Sequence, residues 1–264
     1  MAYYLRLITQ FMKISVQEEA AYRMNFWISL LHSALNLGTG ILGIVILFNQ
    51  VETVRGWTFP GTLALLGVYL IAQALRGLFI GPSLDALAGM DGEVWTGKLD
   101  YTLLRPADIQ FMASFRRWRP FALFDLLLGM GVLAIALAQL HQELSLVRLV
   151  GFSLAMTSGI AILYAILLAF TAFVFWSPGV LFTWIFDGVF QMARYPVGMY
   201  PGWLRLVLTW VVPVGIITTI PAEILTGTAS PAALLGGLAM AVVFVCVSSL
   251  LFRYAAKRYA SASS

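Results

Sequence analysis

Long apolar runs constrain this chain more than any other feature of its sequence. An α-helix needs about 20 consecutive apolar residues to cross the hydrocarbon core of a bilayer. The runs that approach or exceed this length are 26–48, 61–81, 121–140, 149–176, 203–220 and 231–252. The sequence therefore predicts an all-α, polytopic helical membrane protein with six transmembrane helices in a single transmembrane domain, 1–264.

The composition agrees with lipid as the main solvent. Hydrophobic residues make up 61% of the chain and charged residues 11%, with a mean hydropathy of +0.89. A soluble domain carries about 25% charged residues, so this chain has too few to cover a water-facing surface. Its one cysteine, Cys246, rules out an intrachain disulfide and is interpreted as a small buried hydrophobe.

Basic residues set the predicted orientation. Six spans with a cytoplasmic N-terminus leave Arg55 and Arg148 outside. The cytoplasmic side then holds the remaining basic residues of the tails and loops, which are Arg6, Lys13, Arg23, Lys98, Arg105, Arg116, Arg117, Arg119, Arg194, Arg205, Arg253, Lys257 and Arg258. This asymmetry follows the positive-inside rule and predicts that both termini are cytoplasmic.

Two shorter segments are predicted to be helices that do not cross the membrane. The run 179–193 is short and carries Asp187, so we expect an interfacial or re-entrant helix within an interfacial segment, 177–202. Counting it as a seventh span would place the basic C-terminal tail outside, against the rule. The first 25 residues are amphipathic, with Leu5, Ile8, Met12 and Val16 at helical spacing. They predict an interfacial helix, and a helix packed under the bundle is an equal alternative.

One motif suggests a nucleotide site. Gly92, Gly97 and Lys98 stand in the order G-x-x-x-x-G-K, but Leu99 replaces the Ser or Thr that holds magnesium. No continuous apolar strand precedes the motif, and the hydrophilic segment 82–120 is too short for a nucleotide-binding domain. The sequence therefore predicts no nucleotide site in this chain.

The same segment resembles a stretch of type-2 ABC exporter permeases, in which a glycine-punctuated turn precedes a leucine-rich stretch and a proline between spans two and three. The matching residues are Gly92, Gly97, Leu99, Leu103, Leu104, Arg105 and Pro106. A second patch, 192–227, is similar to one prokaryotic subgroup of these permeases, encoded in pairs beside an ATPase, through Arg194, Tyr195, Pro196, Tyr200, Pro201, Pro213, Pro221 and Gly227. The chain departs from that pattern at Glu223 and at Thr219–Ile220, where an aromatic residue is usual.

The resemblance implies a permease without chemistry of its own, located in a prokaryotic cytoplasmic (inner) membrane. Two permease subunits, identical or homologous, would form the pathway, and a dimer of separate ATPase subunits would carry ATP and magnesium. No cofactor is expected in this chain, and the other partner is the lipid bilayer, with no nucleic acid. The loop 82–120 would be the cytoplasmic coupling loop, with 91–104 as its docking element.

The residue types in that element suit a protein interface. Aromatic and leucine side chains supply apolar anchors, and charged side chains supply a polar rim. The predicted docking residues are Asp91, Glu93, Trp95, Lys98, Leu99, Tyr101, Leu103 and Arg105. The alternative is a surface loop that lies on the membrane, with Trp95 and Tyr101 at the level of the lipid head groups.

Polar residues and prolines in the spans are the candidates for the transport pathway. Arg76 near the cytoplasmic end of span two is explained by snorkelling toward the head groups, or alternatively by a pair with Asp125. Asp187 is expected to face the cytoplasmic interface or a polar cavity. Pro213 and Pro221 are expected to break or kink span five, 203–220, which then lines the pathway or only fits its neighbours.

Two other function classes compete with transport by a permease subunit. An intramembrane enzyme lacks support, because the only histidines are His32 and His141 and no H-E-x-x-H motif occurs. His32 is interpreted as a hydrogen-bonding partner of a neighbouring helix. An ion-coupled secondary transporter is the main alternative, although few polar groups lie near the middle of the spans and no internal repeat is visible.

Overall fold

Helices form nearly all the regular structure in the computed structural model, which describes residues 2–21, 23–140, 145–177 and 182–259. The helices are α1 Ala2–Ala21, α2 Arg23–Phe48, α3 Phe59–Leu75, α4 Gly81–Ala88, α5 Leu99–Leu103, α6 Ile109–Phe115, α7 Ala122–Leu140, α8 Leu146–Phe173, α9 Phe182–Gln191, α10 Gly202–Leu206, α11 Ile220–Leu225 and α12 Pro231–Lys257. Between α2 and α3, strands β1 Thr53–Val54 and β2 Trp57–Thr58 form an antiparallel hairpin. The all-α membrane fold predicted from the sequence is confirmed. His141 and the first residues of the run 179–193 lie outside the described residues.

Within the described ranges, five helices are long and apolar enough to cross a membrane. They are Met24–Phe48, Phe59–Ala88, Ala122–Leu140, Leu146–Phe173 and Pro231–Lys257. The second is longer than the predicted 61–81, because a π-helical turn at Arg76–Ile80 joins α3 to α4 without ending the helix. The first residues of the predicted loop 82–120 therefore continue span two.

Three prolines follow widened helical turns. Pro82, Pro213 and Pro221 each come two residues after a π-helical turn, at Arg76–Ile80, Val207–Val211 and Gly215–Thr219. A proline lacks the backbone N–H and its ring clashes with the carbonyl of the preceding helical turn, so a wider turn accommodates it. This arrangement explains why Pro82 and Pro221 do not stop their helices.

The helices α3 and α7 are packed antiparallel with their backbones close together. A Cβ on Gly67 would lie 2.7 Å from the backbone N of Leu133, and one on Gly129 would lie 2.9 Å from that of Ile71. The start of α7 therefore lies beside the end of the second span, and the end of α7 lies beside β2. We call the end of the molecule with residues 89–121 the loop end, and the opposite end, with β1 and β2, the hairpin end.

The helices α8 and α12 both begin at the hairpin end and finish at the loop end. Near their far ends, Gln110 of α6 donates hydrogen bonds to Ser249 Oγ at 2.9 Å and to the Tyr164 hydroxyl at 3.2 Å. The helix α1 also lies at the loop end, since Ser15 Oγ accepts a hydrogen bond from the backbone N–H of Trp118 at 3.1 Å. The described chain thus begins and ends at the loop end.

The chain from 182 to 200 runs from the loop end to the hairpin end. It follows α8 at the loop end, and the carbonyls of Gly198 and Tyr200 accept hydrogen bonds from Arg55, in the turn of the hairpin, at 2.7 and 3.3 Å. Between these points, Arg194 donates a hydrogen bond to Asn36, midway along α2. This segment therefore completes a crossing, whereas the sequence predicted an interfacial or re-entrant helix at 179–193.

The predicted span five, 203–220, turns back instead. Its two halves, Gly202–Val211 and Gly215–Leu225, meet at an angle of 77°. It starts beside Arg55 at the hairpin end, reaches the middle of α8 where a Cβ on Gly159 would lie 2.9 Å from Ile217 Cα, and returns to Gly151 near the start of α8. By length and composition the pair is a candidate sixth span, but its contacts describe a re-entrant hairpin. Arg194 thus lies mid-molecule and Arg205 near the hairpin end, and neither lies at the loop end with the other residues that were predicted to share their side of the membrane.

The helix α1 combines both arrangements considered for the N-terminus. One face packs on the loop, where Ser15 accepts from Trp118 and Glu19 Oε2 accepts from the backbone N–H of Phe121 at 3.0 Å. The other face exposes Leu5, Met12 and Val16. An amphipathic helix with an exposed apolar stripe is suited to the surface of a bilayer.

Candidate functional site

The loop between spans two and three is folded around a buried polar cluster. Glu93 accepts a hydrogen bond from Thr102 Oγ1 at 2.6 Å and pairs with Arg116, whose guanidinium also contacts Thr102 at 3.1 Å. Only 13% of the Glu93 side chain is exposed. Glu93 therefore stabilises the loop from within and does not form the predicted polar rim.

Glycines shape the turns of this loop. Gly97 has φ of +69°, a conformation that residues with a side chain rarely adopt. A Cβ on Gly92 would lie 2.6 Å from the carbonyl oxygen of Leu87, so any larger residue would push the loop off α4. Both glycines are required for the fold of the loop, and no phosphate site is needed to explain them.

The predicted docking residues divide into a buried and an exposed set. Leu99 is fully buried, at 0% exposure, and is corrected from a docking residue to a core residue. Trp95, Tyr101 and Leu103 expose 56%, 72% and 46% of their surface, and Leu104 exposes 83%. Asp91, Lys98 and Arg105 are also exposed. We call the exposed set Asp91, Trp95, Lys98, Tyr101, Leu103, Leu104 and Arg105 the docking surface.

The loop that carries the docking surface is joined to the spans by side-chain hydrogen bonds at residues outside that surface. Ser83 of α4 donates to the carbonyl of Arg117 at 2.7 Å and accepts from its backbone N–H at 3.0 Å. Gln110 links α6 to Tyr164 of α8 and Ser249 of α12. These bonds attach Arg117 and Gln110 of the loop to the second, fourth and last spans.

A polar cavity of about 510 Å³ opens beside the loop-end half of the spans. Its walls come from α2, the Phe59–Ala88 helix, the start of α7 and α9. Its polar lining consists of Ser29, His32, Ser33, Asn36, Gln73, Arg76, Asp85, Arg119, Asp125 and Asp187. Ionisable groups between apolar helices are costly and mark functional sites in membrane proteins.

Arg76 pairs with Asp187 across this cavity. Its Nη2 lies 2.5 Å from Asp187 Oδ1, its side chain is 14% exposed, and its guanidinium lies 5.8 Å from the centre of the Phe186 ring. This corrects both sequence interpretations, since Arg76 neither snorkels to the surface nor pairs with Asp125. The partner lies on the crossing segment 182–200, and a polar cavity is one of the two environments that the sequence predicted for Asp187.

Asp125 and His32 line the same cavity and form no side-chain bonds to the part of the chain that the structure describes. Across the described ranges, no hydrogen bond or ion pair reaches the Asp125 carboxylate. The predicted hydrogen bond from His32 to a neighbouring helix is likewise not formed within the described residues. Two further buried atoms without a hydrogen-bond partner there are Gln73 Oε1 and Arg76 Nε.

Sequence reasoning missed several residues of this site. Asp85 lines the cavity because span two continues past Gly81, which the sequence placed at the end of the span. Arg119 enters from the loop, and Asn36 from α2. Local spacing gave no signal for Asp85, which lies nine positions after Arg76 and so on the opposite side of a regular α-helix. The π-helical turn at Arg76–Ile80 changes that register.

A second arginine lies buried deeper in the bundle. Arg194 hydrogen-bonds Asn36, and its guanidinium lies 5.4 Å from the centre of the Tyr69 ring. These contacts attach the crossing segment to α2 and α3. The sequence placed Arg194 in a cytoplasmic loop, because the crossing around it is too short and irregular to be recognised as a span.

The two prolines of the predicted span five have different positions. Pro213 lies in the break between Gly202–Val211 and Gly215–Leu225, as expected for a helix-breaking residue. Pro221 lies inside the second half, where the preceding π-helical turn accommodates it, so the expected break there is not formed. Neither lines the polar cavity.

Comparison with known proteins identifies the family. A sequence model of the ABC-2 family transporter proteins matches residues 34–263, which is most of the chain. The chain belongs to the ABC-2 transporter family. No curated protein and no solved structure matches it.

Membership of this family makes the chain a membrane-embedded permease of an ABC transporter. Such permeases are transport components that associate with ABC ATPases. The predicted resemblance to type-2 ABC permeases is confirmed at the level of the family. The permease therefore has two candidate functional regions, a docking surface at the loop end and a polar cavity between its spans.

Proposed function

We propose that this permease is the membrane subunit of an ATP-driven exporter, and that its docking surface contacts the ATPase. The observation that carries the proposal is the exposure of Trp95, Tyr101 and Leu104 on a loop whose interior is filled by buried side chains such as Leu99. Exposed aromatic side chains on a rigid element are typical anchors of protein interfaces.

The complete assembly we propose has two permeases and two ATPase subunits. ATP and magnesium bind to the ATPase subunits, and the second permease is identical or homologous to this one. The basic residues at the loop end support a cytosolic location for that end, in a prokaryotic inner membrane with both termini cytoplasmic. Hydrogen bonds of Ser83 and Gln110 then carry motion from the loop to the spans.

Copurification tests the docking surface. The permease is coexpressed with its proposed ATPase partner, and the double variant Trp95→Ala/Tyr101→Ala is compared with the wild type. Loss of two interface anchors is expected to weaken the complex about 30-fold or more and to abolish ATP-dependent transport. The melting temperature of the permease alone should not change, because both side chains are exposed.

Trp203→Ala provides the matched control, since Trp203 is 70% exposed near the hairpin end. An intact complex in the Trp95/Tyr101 variant, or an equal loss with Trp203→Ala, would contradict the docking proposal. Transport that persists in vesicles without the ATPase would support the ion-coupled alternative instead.

A further inference from the structure

The charges that line the polar cavity do not balance. Three carboxylates, of Asp85, Asp125 and Asp187, face two guanidinium groups, of Arg76 and Arg119. Arg76 pairs with Asp187 at 2.5 Å, and its charge also acts on Asp85, so one guanidinium serves two carboxylates. A cavity between apolar helices with an excess of negative charge favours a ligand that brings a positive charge.

Arg119 does not correct the excess. It interacts electrostatically with Asp85 and also with Glu19, which lies on α1 just outside the cavity. Its one positive charge is therefore shared between two carboxylates. Asp125 has no hydrogen bond or ion pair within the described part of the chain, so its negative charge is uncompensated.

A neutral acceptor without a donor lies in the same cavity. The side-chain oxygen of Gln73 is buried and, among the described residues, accepts no hydrogen bond. A buried acceptor without a donor costs free energy that a hydrogen-bond donor on a ligand would recover. A primary or secondary ammonium group supplies such a donor, and any organic cation supplies the positive charge.

The rest of the wall is apolar and suits the body of such a ligand. The apolar lining consists mainly of Ile28, Leu37, Leu70, Phe121 and Leu128. A cavity of about 510 Å³ falls in the range of pockets that hold small organic molecules. The aromatic ring of Phe121 in the same lining also favours cations through its negative face.

We propose that this cavity binds organic cations with an apolar body, and that the carboxylates of Asp85 and Asp125 hold the positive group. That such cations are the cargo of the permease rests on the proposed function. Binding itself does not, because it requires only the permease. The same chemistry is found in soluble amines and in the amine head groups of lipids.

Equilibrium dialysis against the purified permease in an uncharged maltoside detergent tests the proposal. The probe is radiolabelled tetraphenylphosphonium, and tetraphenylborate is the control of the same shape with the opposite charge. The cation is expected to bind, and the anion is expected neither to bind nor to compete. Absence of cation binding, or equal binding of the anion, would overturn the proposal.

Variants locate the binding within the molecule. Asp125→Asn and Asp85→Asn are each expected to weaken binding of the cation about tenfold or more. Asp125→Glu keeps the charge and should bind within about threefold of the wild type, which separates loss of charge from misfolding. Glu52→Gln, at an exposed position of the hairpin end, should bind as the wild type does. Full affinity in both Asn variants would overturn the assignment to this cavity.

Added lipids identify the source of the natural ligand. Displacement of the probe by phosphatidylethanolamine but not by phosphatidylglycerol would support the site and indicate a lipid amine. Displacement by neither lipid, with binding that still depends on Asp125, would support the site and indicate a soluble cation. Because no ATPase is present, failure here leaves the copurification result of the docking surface unaffected, and the reverse also holds.

Discussion

The docking surface and the polar cavity present opposite kinds of side chain to their surroundings. On the docking surface, apolar side chains such as Tyr101 and Leu104 are exposed outside the spans. In the cavity, charged side chains such as Arg76 and Asp187 lie between apolar helices. Both arrangements cost free energy in the isolated chain, since apolar surface is left in water and charge is removed from it.

The difference indicates what each region requires to recover that free energy. The free energy of an apolar surface exposed on the loop is recovered when another protein covers that surface. A charged cavity recovers it through ion pairs within the chain or through a ligand of the opposite charge. Arg76 and Asp187 form such an ion pair, whereas Asp125 forms none with the residues that the structure describes. Function is therefore expected where compensation within the chain is incomplete.

The largest effect is expected from a variant in the interior of the loop. Leu99→Ala removes a fully buried side chain and leaves a cavity under the docking surface, which should lower the free energy of unfolding by about 3 kcal/mol. Leu104→Ala, on the exposed face, should change it by less than about 0.5 kcal/mol. Chemical unfolding of both variants in detergent measures the contrast, and similar losses would show that the two faces are not distinct.

A second effect is expected from breaking the ion pair in the cavity. Asp187→Ala leaves the guanidinium of Arg76 buried without a carboxylate at 2.5 Å and should destabilise the permease by about 2 kcal/mol, less than for a fully buried pair because Asp187 is 40% exposed.

Two further variants sharpen that measurement. Asp125→Ala removes a carboxylate that bonds to none of the described residues and should cost much less stability than Asp187→Ala. Adding Arg76→Met to Asp187→Ala should restore most of the loss, because no unpaired charge remains. If Asp125→Ala were the more destabilising variant, Asp125 and not Asp187 would be the partner of Arg76.

The smallest effect is expected from Glu19 of α1, which accepts a hydrogen bond from Phe121 of the cavity lining. Burial raises the pKa of Glu19 above 4.5, and the N–H of Phe121 and the charge of Arg119 only partly oppose this. Because the folded state favours the protonated form, the stability from this group is complete below pH 4.5 and decreases as the pH rises through the raised pKa.

Glu19→Gln should therefore remove a small part of the loss of stability between mildly acidic and neutral pH. Thermal unfolding of the wild type and the variant across that range measures the difference. Glu18→Gln is the matched control, as its side chain is exposed one position earlier on α1. Equal pH profiles for the wild type and Glu19→Gln would show that burial of Glu19 has no energetic consequence.

Several elements were predictable from local sequence. The spans α2, α7, α8 and α12 follow the apolar runs, because a continuous run of that length is stable in lipid only as a helix. The exposed anchors Trp95 and Tyr101 were predicted as a docking element from residue type and from a family resemblance. Their role in binding an ATPase stays a prediction.

Other elements were not predictable, because they depend on partners distant in the sequence. The run 179–193 contains Asp187, and a charged residue argues against a crossing when only the local sequence is considered. In the structure, Arg76 of the second span supplies the opposite charge. Leu99 and Tyr101 are both apolar and two positions apart, and only the packing of the loop buries one and exposes the other. Apolar character alone does not specify which surface a side chain faces.

The sequence by itself determined that the helices of this protein lie in lipid, since hydropathy and the length of an apolar run are local properties that do not depend on the tertiary structure. It also determined the family, through residues 34–263. The tertiary structure alone decided which segment crosses between the two ends and which returns, because that choice depends on pairing Asp187 with Arg76 and Arg194 with Asn36. Charges in the spans are costly, and the groups that compensate Arg76 and Arg194 come from helices far apart in the chain.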